Sequence, residues 1–371
     1  MGVWQCSLEG VAMNPEFWHK KRVLITGHTG FKGSWLSLWL QLLEADVFGY
    51  SLGLPTQPAL FKLARVADKM GSVMGDIRNL KQLEKTVIDC QPEIIIHMAA
   101  QPLVRQSYLN PVETYETNIM GTINLLEAVR KAKTVKALIN VTSDKCYENK
   151  EWVWGYREND AMGGYDPYSS SKGCAELITA AYRNSFFHSA DYEQHGLAIA
   201  TARAGNVIGG GDWATDRLIP DIINSWLQDK EVLIRNAHAT RPWQYVLEPL
   251  NGYLTLAEKM FEDGSVYDGA WNFGPDESGI QSVAWLIEQL KSVWGKEVSW
   301  QQDSDRQPHE ASFLKLDCSK AHLKLGWKPI LDLNTALVWI VDWTNAWQAD
   351  FDMKEISQIQ IQKFMEIGNL C

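Results

Sequence analysis

Cysteine is scarce and scattered in this chain: the six (Cys6, Cys90, Cys146, Cys174, Cys318 and Cys371) form no CxxC pair and no Cys/His cluster at zinc spacing. That pattern argues against a zinc-ribbon site or a disulfide framework, so no metal is expected and the thiols read as reduced, cytosolic ones. Positive charge is short as well. Lys and Arg number 35 against 45 Asp and Glu, a formal net charge of −10, and the basic residues are not blocked together. Without a basic patch to neutralise phosphates, nucleic acid is not an expected partner. No apolar stretch reaches the ~20 residues of a membrane span. The start MGVWQCSLEGVAM lacks the basic flank and apolar run of a signal peptide, and Cys6 stands where a myristoylation signal needs Ser or Thr. A soluble, cytoplasmic chain is expected. Internal repeats and low-complexity tracts are missing too, which argues against a solenoid.

What the chain has in quantity is apolar residues, 46% of the total, and tryptophan, 17 in all. A large core follows, with the tryptophans packing it. Short apolar runs recur at 22–26, 46–50, 73–76, 93–97, 137–142 and 197–202, with helical patterns between them. Such alternation predicts parallel strands joined by helical crossovers. Trp35, Leu38, Trp39 and Leu42 fall at helical spacing, so the first crossover lies apolar face down on the sheet. The expected fold is α/β, a Rossmann-like doubly wound parallel sheet followed by a smaller mixed α/β C-terminal substrate lobe. Residues 1–13 read as an extension, because Met13 begins a second plausible start. Residues 14–205 read as the dinucleotide-binding domain and 206–371 as the lobe, with segments near 245–275 returning to the sheet.

The first strand, RVLIT, runs straight into GHTGFKG, placing Gly27, Gly30 and Gly33 between a strand end and a helix start. Glycines there permit a tight turn and let backbone amides approach a pyrophosphate, beside the positive end of a helix. Glycines also make ordinary turns; it is the strand before and the helix after that give this spacing its meaning. The second strand ends Phe48, Gly49, Tyr50, Ser51, without the acid that receives the ribose hydroxyls of NAD. No arginine cluster stands ready for a 2′-phosphate either, and NAD is the expected cofactor. At the third strand end Asp76 suits either an adenine amino group or a helix cap, and Ile77 a ring face. After the fourth strand come the small residues Ala99 and Ala100, then Gln101 and Arg105, at the carboxyl edge where doubly wound sheets bind ligands.

The fifth strand ends VTSDK, and YSSSK follows, placing Tyr168 and Lys172 on one helical face. An ammonium beside a phenol favours the phenolate, so Lys172 is expected to lower the pKa of Tyr168 and make it a base for a sugar hydroxyl. In this order, TGxxGxxG, Ser143 at the strand end and YxxxK resemble the extended short-chain dehydrogenase/reductases over nearly the whole chain. The triplet Ser143, Asp144, Lys145 resembles the acid-bearing site of sugar-nucleotide 4,6-dehydratases, with Lys in place of the usual Glu. YSLGLPTQPALF, GNVIGGGDW and RQPHEA are similar to the CDP-glucose 4,6-dehydratases among them.

That resemblance implies conversion of CDP-glucose to CDP-4-keto-6-deoxyglucose, with NAD reduced and restored in each turnover. Tyr168 would act as base at O4, Ser143 would bond the same oxygen, Lys172 would hold the nicotinamide ribose, and Asp144 would protonate the departing C6 hydroxyl. Lys145 would be the C5 base, if neutral, or would stabilise the enolate. The resemblance also brings Phe31, Ser51 and Asn118 into the cofactor set. It brings Arg105, Asn206, Arg241, Asn272, Arg306 and His309 into the substrate set, with arginines for the diphosphate. Relatives pair through two long helices, here 111–131 and 168–187, which implies a homodimer. Two other functions share the fold: a 4-epimerase, which has no use for Asp144, and a non-catalytic dinucleotide sensor, which has no use for a tuned phenol.

Overall fold

The computed structural model describes residues 13–303 and 313–368, so all of the expected extension except Met13 lies outside the described residues. Strands β1 (Arg22–Thr26), β2 (Asp46–Ser51), β3 (Gly71–Met74), β4 (Ile94–His97), β5 (Ala137–Val141) and β6 (Ala198–Ala204) alternate with helices. After them come β7 (Asn206–Ile208), β8 (Val232–Ile234), β9 (Thr240–Tyr245), β10 (Gly269–Phe273), β11 (Ile280–Ser282) and β12 (Trp300–Gln302). Seven strands make one sheet in the order β3-β2-β1-β4-β5-β6-β10, and every pairing in it is parallel. The order reverses direction between β1 and β4, and the crevice beyond their carboxyl ends is where such sheets bind ligands.

Both faces of the sheet are covered, which is why its strands read as unbroken apolar runs. Val23, Ile25, Ile96 and Ile139 face one layer, while Leu24, Ile95, Leu138 and Ile199 face the other. The helix Phe31–Leu42 buries Trp35, Leu38 and Trp39 completely. Fully burying one such side chain stabilises the fold by roughly 2 kcal/mol. The third strand begins and ends two residues before the expected 73–76. Asp76 has left the ladder, since its carboxylate clasps the Arg78 guanidinium at 2.7 and 3.0 Å and accepts from the Arg78 amide at 2.9 Å.

The second half of the chain is divided between layers. Strand β10 joins the edge of the main sheet beside β6, and the helix Leu247–Asp263 packs beneath β5 and β6. The helix Met353–Gly368 lies on the helix Phe31–Leu42, where Phe364 meets Trp39 edge-on at 5.6 Å. The rest builds a separate wall: a three-stranded sheet β11-β9-β7, a two-stranded sheet β12-β8 and the helices Leu218–Leu227 and Val283–Trp294. Among the described residues, no helix is long and apolar enough to cross a membrane.

Candidate active site

The glycine turn takes the shape that close approach to a phosphate requires. Gly27 has φ +77°, and a Cβ on it would lie 2.8 Å from the Ala99 nitrogen. A Cβ on Gly33 would lie 2.2 Å from the Gly27 oxygen, so strand, turn and helix pack through bare backbone. Gly30 caps the helix Phe31–Leu42 with no side-chain hydrogen bond, which leaves the first amides of that helix to a ligand. The residues present thus fit a dinucleotide pyrophosphate. Thr26 Oγ1 accepts from the amides of Met98 and Ala99, both at 3.1 Å, and so fixes the loop after β4 against the turn. Ser51 bonds Thr29 at 2.6 Å, and Ile77 is buried against Gly121.

Three expected ligands have their polar atoms engaged elsewhere. Asp76 is held below the usual carboxylate range by Arg78, and it is Asn79, accepting from the Gln82 amide at 3.2 Å, that caps the following helix. Asn118 accepts from the Gln101 amide at 2.8 Å and donates to Gln101 O at 3.1 Å and to Ser171 Oγ at 2.8 Å, while Gln101 Nε2 donates to Thr114 at 2.8 Å. These two residues tie the loop after β4 to the helix Pro167–Phe186.

Beyond the carboxyl ends of the strands opens a cleft of about 320 Å³, lined by Phe31, Ser143, Asp144, Lys145, Tyr168 and Lys172 on the sheet side. A cavity of this size is within the range of small-molecule sites. Ser143, two residues beyond the end of β5, has extended backbone and caps the short turn Asp144–Cys146. Its Oγ donates to Asp144 Oδ1 at 3.0 Å and accepts from the Lys145 amide at 3.2 Å. Asp144 is 1% exposed. Its Oδ1 lies 3.9 Å from Lys145 Nζ, while Oδ2 is buried and has no hydrogen-bond partner among the described residues.

Tyr168 and Lys172 share one face of the helix Pro167–Phe186, as the spacing predicts, but their electrostatics differ from the expectation. Burial pushes the Tyr168 phenol up to about 12, and Asp144 adds to the rise; the groups pulling it down are Ser143 and Arg217. Arg217 is a cation acting on the phenol, and Lys172 has an electrostatic environment of its own. Its own ammonium, driven down to about 8 by burial, donates to Val141 O at 3.3 Å and is supported by Glu176. Two cleft cations had escaped the sequence reading. Lys32, between Gly30 and Gly33 in the first turn of the helix Phe31–Leu42, is pushed down to about 7 by burial and then by the charges of Lys172 and Arg217. Arg217 pairs with Asp212 at 2.9 Å. Lys32 carries a signal in hindsight, a charge within a glycine turn; Arg217 is brought in only by the loop after β7.

On the opposite wall, Arg241 is buried in β9 and donates to Thr240 O at 3.0 Å. Asn206 follows β6 with a buried Oδ1 that has no partner among the described residues. Arg105 reaches across to Asp216 at 3.2 Å, which also lies 3.6 Å from Arg235. Asn272 does not belong to this wall. It is fully buried in β10, where its amide donates to Tyr156 O and Asp317 O and accepts from the Tyr147 hydroxyl, so no polar atom is left for a ligand. Arg306 and His309 lie outside the described residues. Among the described residues, no group of three or more His, Cys, Asp or Glu could hold a metal ion.

A doubly wound sheet with an amide-lined glycine turn, a Ser–Tyr–Lys set and a buried aspartate defines a nucleotide-dependent enzyme of the short-chain dehydrogenase/reductase class. Within it, the chain belongs to the GDP-mannose 4,6 dehydratase family, whose sequence pattern matches residues 24–338. It is 54% identical to the CDP-glucose 4,6-dehydratase of Salmonella typhimurium, across 95% of this chain and 98% of that one. The dTDP-glucose 4,6-dehydratase of Haemophilus influenzae is 24% identical over 86% of this chain and 97% of its own length. Among solved structures, the dTDP-glucose 4,6-dehydratase of Bacillus anthracis in complex with NAD superposes with a TM-score of 0.72, at 22% identity, over 90% of this chain and 99% of that one. The UDP-glucose 4-epimerase of Thermotoga maritima with UDP-glucose gives a TM-score of 0.74, at 23% identity, over 88% and 99%. The last two comparisons establish the fold, which dehydratases and epimerases share.

Proposed function

We propose that the enzyme converts CDP-glucose into CDP-4-keto-6-deoxyglucose by internal oxidation, loss of water and reduction, consuming no external reductant. The observation that carries this reading is Asp144 Oδ2, a buried, unpartnered oxygen in the cleft shared by Ser143, Tyr168 and Lys172. A 4-epimerase needs a base and a cofactor, but has no departing hydroxyl for a carboxyl group to protonate. The 54% identity to the Salmonella enzyme supports the same substrate.

The glycine turn supports NAD as the cofactor, with Gly27, Gly30, Gly33 and Phe31 around the pyrophosphate, Ser51 and Ile77 toward the adenosine, and Ala99, Ala100 and Lys172 toward the nicotinamide. When bound, NAD supplies the two-electron acceptor and donor that oxidation at C4 and reduction at C6 need. Tyr168, as phenolate, takes the O4 proton while Ser143 bonds the same oxygen; Ser143 and Arg217 favour that ionised form against the burial that raises the phenol to about 12. The C4 carbonyl makes the C5 proton acidic, and Lys145 serves that step as base or as counter-charge to the enolate. Asp144 gives a proton to the C6 hydroxyl, which leaves as water. Arg105, Asn206 and Arg241 hold the diphosphate and sugar, the two arginines as cations and Asn206 through its spare Oδ1.

In this reading residues 14–205 and the segments near 245–275 serve the cofactor, and the remainder of 206–371 serves the substrate. The exposed apolar side chains Val112, Met120, Leu177 and Phe186 on the paired helices support a homodimer. The cytoplasm is its proposed location. Mass spectrometry after incubation with CDP-, dTDP-, UDP- and GDP-glucose in deuterium oxide tests the reaction. CDP-glucose should give a product lighter by one water and carrying one carbon-bound deuterium. Formation of CDP-galactose, or no turnover with any donor, overturns the reading.

A further inference from the structure

Tyr168, Lys172 and Glu176 follow one another at intervals of four, so a single stripe of the helix Pro167–Phe186 carries phenol, ammonium and carboxylate. The third member has no part in the chemistry above. It is 5% exposed, and both its oxygens are fully engaged. Oε1 accepts from Thr142 Oγ1 and from Arg203 Nε, the latter at 2.9 Å; Oε2 accepts from Thr201 Oγ1 at 2.7 Å and Arg203 Nη2 at 2.8 Å. Arg203 is 3% exposed and sits in β6, a strand otherwise made of alanine, isoleucine and threonine. Burying such a pair removes two charges from water, and an apolar pair of the same volume is often as stable. Its place in the fold suggests what it does instead.

Thr142 stands between two residues of the site. Val141, before it, offers the carbonyl that receives the Lys172 ammonium at 3.3 Å, and Ser143, after it, presents the hydroxyl to the cleft. By holding Thr142, Glu176 holds both. The charged and titratable groups around Lys172 are Lys32 on the first crossover helix, His97 on β4, Asp144 and Cys146 on the turn after β5, Tyr168 and Glu176 on its own helix, and Arg203 on β6. His97 and Cys146 are held uncharged by burial, Arg203 is a cation, and Lys32, lowered to about 7 by burial, is divided between its two forms at neutral pH. Asp144 faces Lys145 and Ser143. Among these groups Glu176 is the largest influence keeping Lys172 charged.

We propose that Glu176 is a positioning residue of this site, its carboxylate serving as counter-charge to the Lys172 ammonium and clamping the strand end that presents Ser143. The role assigned to Lys172 rests on the proposed dehydratase reaction; the coupling of Glu176 to Lys172 does not. Selective ¹³Cε labelling of lysine and a pH titration by NMR read the Lys172 midpoint in the ligand-free protein. In Glu176→Gln the midpoint should fall by about one unit, and turnover of CDP-glucose at neutral pH should drop about tenfold, with partial recovery in Glu176→Asp.

Because Glu176→Gln leaves Arg203 without a buried partner, the pair Glu176→Gln with Arg203→Met provides the variant that removes both charges together. It should lower the Lys172 midpoint in the same direction. A midpoint unchanged from wild type in whichever variant folds overturns the proposal and reduces Glu176 to a structural ion pair. If wild type fails to turn over CDP-glucose while the midpoint moves as expected, the reaction assignment falls and this inference stands.

Discussion

Gly205→Ala places one methyl group where the site can least accept it. A Cβ there would lie 3.1 Å from Asp144 Oδ2 and 2.8 Å from Pro242 Cγ. Gly205 has no positive φ, so alanine meets no backbone strain. The cost to folding is that of slight overpacking against Pro242, about 1–2 kcal/mol. For 371 residues, at about 2.1 cal/mol/K of unfolding entropy per residue, that lowers Tm by about 1–3 °C.

The cost to catalysis falls on one atom. The methyl presses on the carboxyl oxygen proposed to meet the C6 hydroxyl, which must give by a few tenths of an ångström; since a misplacement of about 1 Å costs about 10²-fold in rate, a loss of about tenfold follows. Initial rates with CDP-glucose, followed by the alkali-sensitive chromophore of the 4-keto-6-deoxy product, should therefore fall about tenfold while calorimetry shows a fold nearly as stable. A Gly205→Ala enzyme with wild-type turnover would show that Asp144 Oδ2 does not face the substrate. The role given to Asp144 would then be wrong.

Two further outcomes follow from the electrostatics. Arg217 pulls the Tyr168 phenol down, but it is 33% exposed and shares its charge with Asp212. Solvent screening holds its worth to about 1 kcal/mol, so Arg217→Met should lower kcat about fivefold at neutral pH; a rise in KM alone would assign Arg217 to substrate binding instead. Glu248 is buried and accepts from the Ile330 and Leu331 amides, at 3.0 and 2.6 Å, and burial raises it from 4.5 to about 8. The unfolded chain releases this proton above 4.5 and the folded one only above about 8, so the stabilisation present at low pH is lost as pH rises through that window. Glu248→Gln should then leave Tm unchanged near pH 4 and raise it by several degrees at pH 8.5; equal Tm shifts at both pH values would refute the assignment.

The sheet was legible from sequence because a strand buried on both faces must be apolar throughout, as in RVLIT and ALINV, and because crossover helices repeat at 3.6 residues, as with Trp35, Leu38 and Trp39. The glycine turn was legible for a related reason: Gly27 needs a left-handed φ and Gly33 a bare Cα, requirements that no other residue meets at that spacing. The stripe from Tyr168 to Lys172 was readable too, since it is local to one helix. Each of these follows from the neighbours of a residue along the chain.

Contacts made by distant segments decided the rest. The phenol of Tyr168 is set first by burial, then by Ser143, Asp144 and Arg217, the last of them 49 positions along the sequence. Asn272 shares the residue type of a ligand but spends every polar atom on Tyr147, Tyr156 and Asp317, partners supplied by the loop after β5 and the segment before the helix Ser319–Leu325. Spacing along the chain sets which side chains share a face. What surrounds them, and so which proton they hold, depends on segments that only folding brings alongside.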